Sequence, residues 1–182
     1  YAFTGDRDYL RDVYPVMKGA CEFYLDWLVD DGRGRLVTPV STSPENNFTY
    51  ATPDGLRSRS TVSAGCTMDL GIIRDLFANT VRASRILETD ATFRATLETT
   101  LGKLLPFQVG AKGQLQEWQQ DFAEAEPAHR HISHLFALHP GAQITPRGTP
   151  SLAAAARRTL ELRGDGGPGW SKAWKGNFWA RP

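Results

Sequence analysis

Leu10, Val13, Tyr14, Met17, Cys21, Tyr24, Leu25 and Leu28 recur at steps of three and four residues, the period of a helix with one buried face. Pro15 falls inside that run and predicts a break: a short helix to about Asp12, then a second one opening at Pro15 as its first-turn residue. DDGRGR, from Asp30 to Arg35, supplies the turn that ends it. RLVTPV reads as an edge strand or short extended piece, because Pro39 cannot donate to a ladder. From Ser41 to Gly65 no helical period is visible and Ser, Thr, Pro, Asn and Gly dominate, which predicts a long loop of functional character.

The helical period returns at Leu70, Ile73, Phe77, Val81, Ser84 and Leu87, with Thr67 or Asp69 positioned to cap the free N–H groups. A further helix carries Phe93, Leu97, Leu101 and Leu104 and stops before Pro106. VGAKGQLQEW, with Lys112-Gly113 at its centre, predicts a small hairpin. SLAAAARRTLELRG predicts a helix with Ser151 as cap and Gly164 at its end. Trp170, Trp174 and Phe178 share one face of a final helix and call for something to pack against. The pattern is mainly α, with helices joined by elaborate loops. No alternation of a parallel sheet, no phosphate loop and no repeat of 20–50 residues is present.

Composition narrows the possibilities. With 21 Lys+Arg against 20 Asp+Glu, the formal charge is +1, and neither sign forms a long run. That argues against a nucleic-acid or membrane surface read by charge. No apolar stretch approaches the roughly 20 residues needed to span a bilayer. Cys21 and Cys66 are far apart and read as buried thiols in preference to one disulfide. A chain that opens at Tyr1 and stops just after its most aromatic segment reads as a fragment, residues 1–182, of a single larger domain.

All four histidines lie between His129 and His139. As metal ligands His129, His131 and His134 are spaced by two and three residues, whereas a zinc helix of the H-E-x-x-H type needs four and a Glu beside the first His. Arg130 between two of them would also repel a dication, so no metal site is expected. Ser133 has histidine neighbours but no nucleophile elbow. His134 and His139 read as helix residues bonded to backbone. Arg130 beside His131, in a loop entered through Pro127, suits recognition of hydroxyls.

Three carboxylates occupy suggestive places: Glu45 in STSPEN, Asp69 after GCTM, and Glu117 before Trp118. Glycoside hydrolysis needs one carboxyl to protonate the leaving oxygen and a second group to activate water. On pattern alone, Asp69 is equally a helix cap and Glu117 an exposed hairpin charge.

TPVSTSPEN, TMDLGIIRDLF, GQLQEWQQDF, HRHISHLFALHPGAQIT and GPGWSKAWKGNFWAR follow one another in order. Together they resemble the catalytic domain of the α-L-fucosidases of glycoside hydrolase family 95, from YPVMKGACEFYLDWL onward. The resemblance implies a partial (α/α)6 barrel with long loops. It also implies an inverting, metal-free, cofactor-free hydrolase of bacterial type that releases terminal α-L-fucose, typically α-1,2-linked, from oligosaccharides and glycans. Asp69 is implied as general acid, with Glu117 as the alternative acid and otherwise a ligand of sugar hydroxyls. Arg130 and His131 correspond to the family's pair that contacts fucose, and Glu45, Trp118 and Trp170 fall in motifs that line or support the cleft. The family's water-activating motifs do not occur in these residues; Asn46 and Asn47 are adjacent and belong to the loop motif. An α-L-galactosidase, a non-catalytic binder of fucosylated glycans and a zinc hydrolase are the competing readings. A substrate among extracellular glycans implies a secreted or periplasmic parent protein.

Overall fold

A computed structural model describes residues 1–181. The chain is mainly helical, as the periodicity requires, and divides into two compact units. The division falls inside the second long helix, between Ile72 and Ile73.

The first unit comprises Tyr1–Val37 and Ile73–Leu105. Helix α1 (Arg7–Trp27) is capped by Asp6, whose carboxylate accepts from the N–H groups of Asp8 and Tyr9 at 3.0 and 2.9 Å. The break expected at Pro15 does not occur: the helix runs through it. Proline removes one backbone donor, and the carbonyl that loses its partner, that of Arg11, lies with Pro15 on the exposed face where water can serve it. Strands β1 (Val29–Asp30) and β2 (Leu36–Val37) pair antiparallel around the predicted turn. Leu10, Tyr14 and Ala83 form the core here, with Val13, Met17, Ile86 and Leu87 packed on it. Cys21 is a buried free thiol 3.2 Å from the Thr80 hydroxyl.

The second unit comprises Thr38–Ile72 and the chain from Pro106 onward. The stretch expected to be an irregular loop is instead a small β-structure. Strand β3 (Ser41–Thr42) pairs with β6 (Val62–Ser63), while β4 (Phe48–Ala51) and β5 (Arg57–Ser60) form a hairpin. Strand β7 (Ala123–Glu124) adds to the free edge of β4, giving the order β5-β4-β7. The turn is Thr52-Pro53-Asp54-Gly55, a Pro-Asp-Gly sequence that favours a turn by fixing φ, bonding its own backbone and allowing positive φ in that order. The hairpin expected over 109–118 is reduced to a single bridge, Val109 with Leu115.

Helix α2 (Thr67–Leu87) and helix α3 (Ala91–Lys103) lie where the periodicity puts them. Helix α4 (Pro150–Arg163) begins before the expected cap: Thr149 precedes it and Pro150 takes the first position, where its missing N–H costs nothing. Gly164 ends it at positive φ, as expected. Helix α5 (Gly169–Trp179) follows. Ala153, Ala155 and Ala156 keep α4 narrow, so the Leu115 N–H reaches the Ala155 carbonyl at 3.2 Å. Around them Leu135, Leu138, Ile144, Leu160 and Phe178 close the larger core. Gly141 is needed for that closure, because a Cβ there would sit 2.7 Å from the Phe136 carbonyl oxygen. Among the described residues no helix is long and apolar enough to cross a membrane.

Candidate functional site

The sequence-predicted site residues all lie in the second unit, but they separate into three environments.

Glu45, Arg130, His131 and Trp170 come together. Arg130 donates to the Glu45 carboxylate, and His131 Nε2 lies 3.6 Å from the same oxygen. The His131 ring faces the Trp170 ring at 4.7 Å between centroids. Several bonds hold this group to the scaffold. Ser171, in the first turn of α5, donates to the Arg130 carbonyl at 2.6 Å. Ser133, opening a 3-10 helix (Ser133–Ala137), donates to the Pro44 carbonyl. The His131 N–H donates to His129 Nδ1 at 3.1 Å, so the buried His129 shapes the loop. Burial holds the His129 pKa below the ordinary histidine value, which keeps that nitrogen an acceptor at neutral pH. The cluster opens onto a cleft of about 200 Å³ lined by Met68, Arg130, His131, His139, Trp170 and Trp174. Trp170 and Trp174 present apolar faces beside the Arg130 guanidinium and the His131 ring, a combination suited to a sugar ring.

Glu117 and Trp118 are elsewhere, inside the protein. Glu117 is not the exposed hairpin charge that the pattern allowed: it is 4% exposed. Its carboxylate accepts from Arg163 Nη2 at 2.6 Å, Ser43 Oγ at 2.7 Å and Asn46 Nδ2 at 3.1 Å. Arg163 also reaches Glu124 at 3.1 Å. Burial opposes the ionised form of Glu117, but the charge and donors around it win and hold its pKa below the ordinary glutamate value. His134, fully buried, has its Nδ1 3.6 Å from the same carboxylate and without a hydrogen-bond partner among the described residues. Desolvation pushes its pKa down to about 4, so it is neutral near pH 7 and Arg163 is the cation that balances Glu117. Trp118 is 2% exposed and packs on Phe48 and Cys66, which corrects its expected role: no face is free to stack on a sugar. Cys66, a free thiol, is pushed up to about 12 by burial and by the nearby Asp69.

Asp69 occupies the first turn of α2, half-buried. Its carboxylate takes a hydrogen bond from Thr38 Oγ1 at 3.2 Å. Burial raises its pKa above the ordinary aspartate value despite that bond. It does not line the cleft, although its neighbour Met68 does. Among the described residues no three His, Cys, Asp or Glu side chains converge as a metal would need.

The model of the glycosyl hydrolase family 95 catalytic domain matches residues 1–182. The chain belongs to glycosyl hydrolase family 95. It is 43% identical over 183 residues to alpha-L-fucosidase 2 of Arabidopsis thaliana, covering all of this chain and 21% of that protein. It is 30% identical over 192 residues to a probable alpha-fucosidase A of Aspergillus niger, covering 99% of this chain and 23% of that one. The chain therefore spans about a fifth of the length of the curated relatives it matches. These relatives are plant and fungal, and they lend no support to a bacterial source.

Within this family 95 chain, pattern reading missed the residues that support the site. Arg163 looks like any basic residue at a helix end, and its partner Glu117 is 46 positions away. Ser43 and Asn46 did carry a signal, since they flank Glu45 within one motif. His139 and Trp174 share the cleft wall, 5.4 Å apart, and the helical step from Trp170 to Trp174 was the available clue.

Proposed function

We propose that this chain is part of the catalytic domain of an α-L-fucosidase, an (α/α)6 barrel in a secreted or periplasmic parent protein that releases terminal α-L-fucose, typically α-1,2-linked, from extracellular glycans. The observation that carries the reading is that Arg130, His131 and Trp170 line one cleft, with Glu45 paired to Arg130 and beside His131. Arg130 and His131 bind sugar hydroxyls and Trp170 offers its face to the ring. The helix-and-loop architecture is compatible with the barrel.

The chemistry proposed is inverting. A protonated carboxyl donates its proton to the glycosidic oxygen as the bond from that oxygen to the anomeric carbon breaks. Water attacks the opposite face of that carbon and gives its proton to a base that these residues do not supply. Acid and base then stand roughly 6.5–9.5 Å apart. Asp69 is assigned as the acid, because burial favours its protonated form and it adjoins the cleft through Met68. Glu117 is not given that role, since Arg163 holds it ionised and out of reach of substrate.

One observation favours a second assignment. Glu45 is the carboxylate in direct contact with Arg130 and His131, and in that reading it is the proton donor only once bound sugar has displaced it from Arg130. The two separate by leaving-group dependence in the complete protein. Removal of the acid lowers turnover of α-1,2-fucosyllactose by roughly two to four orders of magnitude. An aryl α-L-fucoside, whose phenolate leaves without a proton, is affected far less. Asp69→Asn should show this split. If Glu45→Gln shows it instead, the second assignment replaces the first. No fucose from either substrate, or faster release of L-galactose from the matching galactoside, would sink the fucosidase reading.

A further inference from the structure

The buried Glu117–Arg163 pair is the most highly constrained charge in the second unit, yet the chemistry above does not use it. Its geometry points to one task. The Glu117 carboxylate takes the Ser43 hydroxyl at 2.7 Å and the Asn46 amide at 3.1 Å. Those two residues bracket Glu45, at two positions before and one after. Ser43 and Asn46 are buried, whereas Glu45 between them is exposed and meets Arg130 and His131. A third tie, from Ser133 to the Pro44 carbonyl, comes from the segment that carries Arg130 and His131. Glu117 is itself fixed by Arg163, and the Glu117 carbonyl accepts from the first backbone N–H of α2, that of Thr67, at 3.1 Å.

We propose that Glu117 is a positioning residue: an internal anchor that clamps both sides of the Ser43–Asn46 loop and so presents Glu45 to Arg130, His131 and the bound sugar. The proposal rests on the fucosidase reading for its kinetic consequence but not for its geometry. A carboxylate suits the task because it accepts from two loop donors and a guanidinium at once, with one oxygen serving Ser43 and the other serving Asn46 and Arg163. Glutamine in its place keeps the size but brings an N–H₂ toward groups that already donate.

The test uses the complete protein and the loop donors, since Glu117→Gln removes one of the two carboxylates that face the buried Arg163 and risks a folding defect. Ser43→Ala with Asn46→Ala removes both clamps while the Glu117–Arg163 pair stays intact. Expected is a fall in kcat/KM on α-1,2-fucosyllactose of roughly tenfold to a hundredfold, the scale of a small misplacement, together with a lowered thermal midpoint because the buried carboxylate loses two donors. The decisive readout is the same pair of substitutions in a Glu45→Gln background. If the loop donors act through Glu45, they cost almost nothing further there; if the losses multiply, the positioning role is overturned. A crystal structure of the Ser43→Ala, Asn46→Ala variant supplies the arm independent of activity. Loss of the Glu45–Arg130 contact supports the anchor, and an intact contact overturns it. Should the unsubstituted protein release no fucose, the hydrolase reading fails while this structural arm still decides the anchor.

Discussion

The second unit contains two groups of the same composition, a glutamate, an arginine and a histidine, in opposite surroundings. Glu117, Arg163 and His134 have side chains only 1–2% exposed. In the Glu45, Arg130 and His131 group the exposures are 60%, 43% and 26%. In the first, burial removes water as an alternative partner, so each charge depends on the other and the imidazole gives up its proton. In the second, each group can exchange its protein partner for water or for a hydroxyl. Burial thus turns one set of side chains into a strut and leaves the other as a grip. Residue type alone does not distinguish them.

The largest effect that sharpens this contrast is on stability. Arg163→Ala strands the Glu117 charge inside and should cost about 3–5 kcal/mol in denaturant unfolding, whereas Arg130→Ala should cost under about 1 kcal/mol. Equal losses would erase the distinction between strut and grip. Activity should reverse the ranking: Arg130→Ala in the complete protein is expected to lower kcat/KM on an α-L-fucoside by about a hundredfold, with an unaltered melting curve.

Next in size is pH dependence. His134 binds a proton near pH 6.5 when unfolded but only near pH 4 when folded. Between those values the unfolded chain holds the extra proton, so its share of stability is complete above pH 6.5 and lost as pH falls toward 4. The slope is at most about 1.4 kcal/mol per pH unit. Glu117, with its pKa held low, adds acid sensitivity below about pH 4.5. His134→Asn should flatten the slope between pH 6.5 and 5, measured by urea midpoints; an unchanged slope would mean that His134 titrates normally. The smallest effect is expected of Glu45→Gln, within about 0.5 kcal/mol of the parent in stability, as suits an exposed pair.

The helices were legible because each has one buried face and a period long enough to repeat: Leu70, Ile73 and Phe77 in α2 are all buried. Strands β4 and β5 were not, since their faces are largely exposed and Arg57-Ser58-Arg59-Ser60 has no apolar alternation to read. Only the Pro53-Asp54-Gly55 turn announced that hairpin. Arg130, His131, Glu45 and Trp170 were singled out through motif resemblance, and the structure brings them side by side. Trp118 and Glu117 carry the same kind of signal and lie inside. Burial depends on what folds over a residue, here Phe48 from one segment and Arg163 from another, and short-range pattern contains neither.

The loop Gly164–Gly169 is tied down from the helix it precedes: Lys175 Nζ donates to the carbonyls of Gly164 and Gly166 at 2.8 and 2.6 Å, while Ser171 fastens the helix to the Arg130 carbonyl. The loop therefore works as an indexing ring. One residue more or fewer within it would have to be absorbed without losing the Lys175 ties to Gly164 and Gly166, which help to seat α5 with Trp170 against the His131 ring. Divergence in what this cleft accepts is then freer to proceed by exchanging the side chains on the wall than by changing the length of the loop that leads to it.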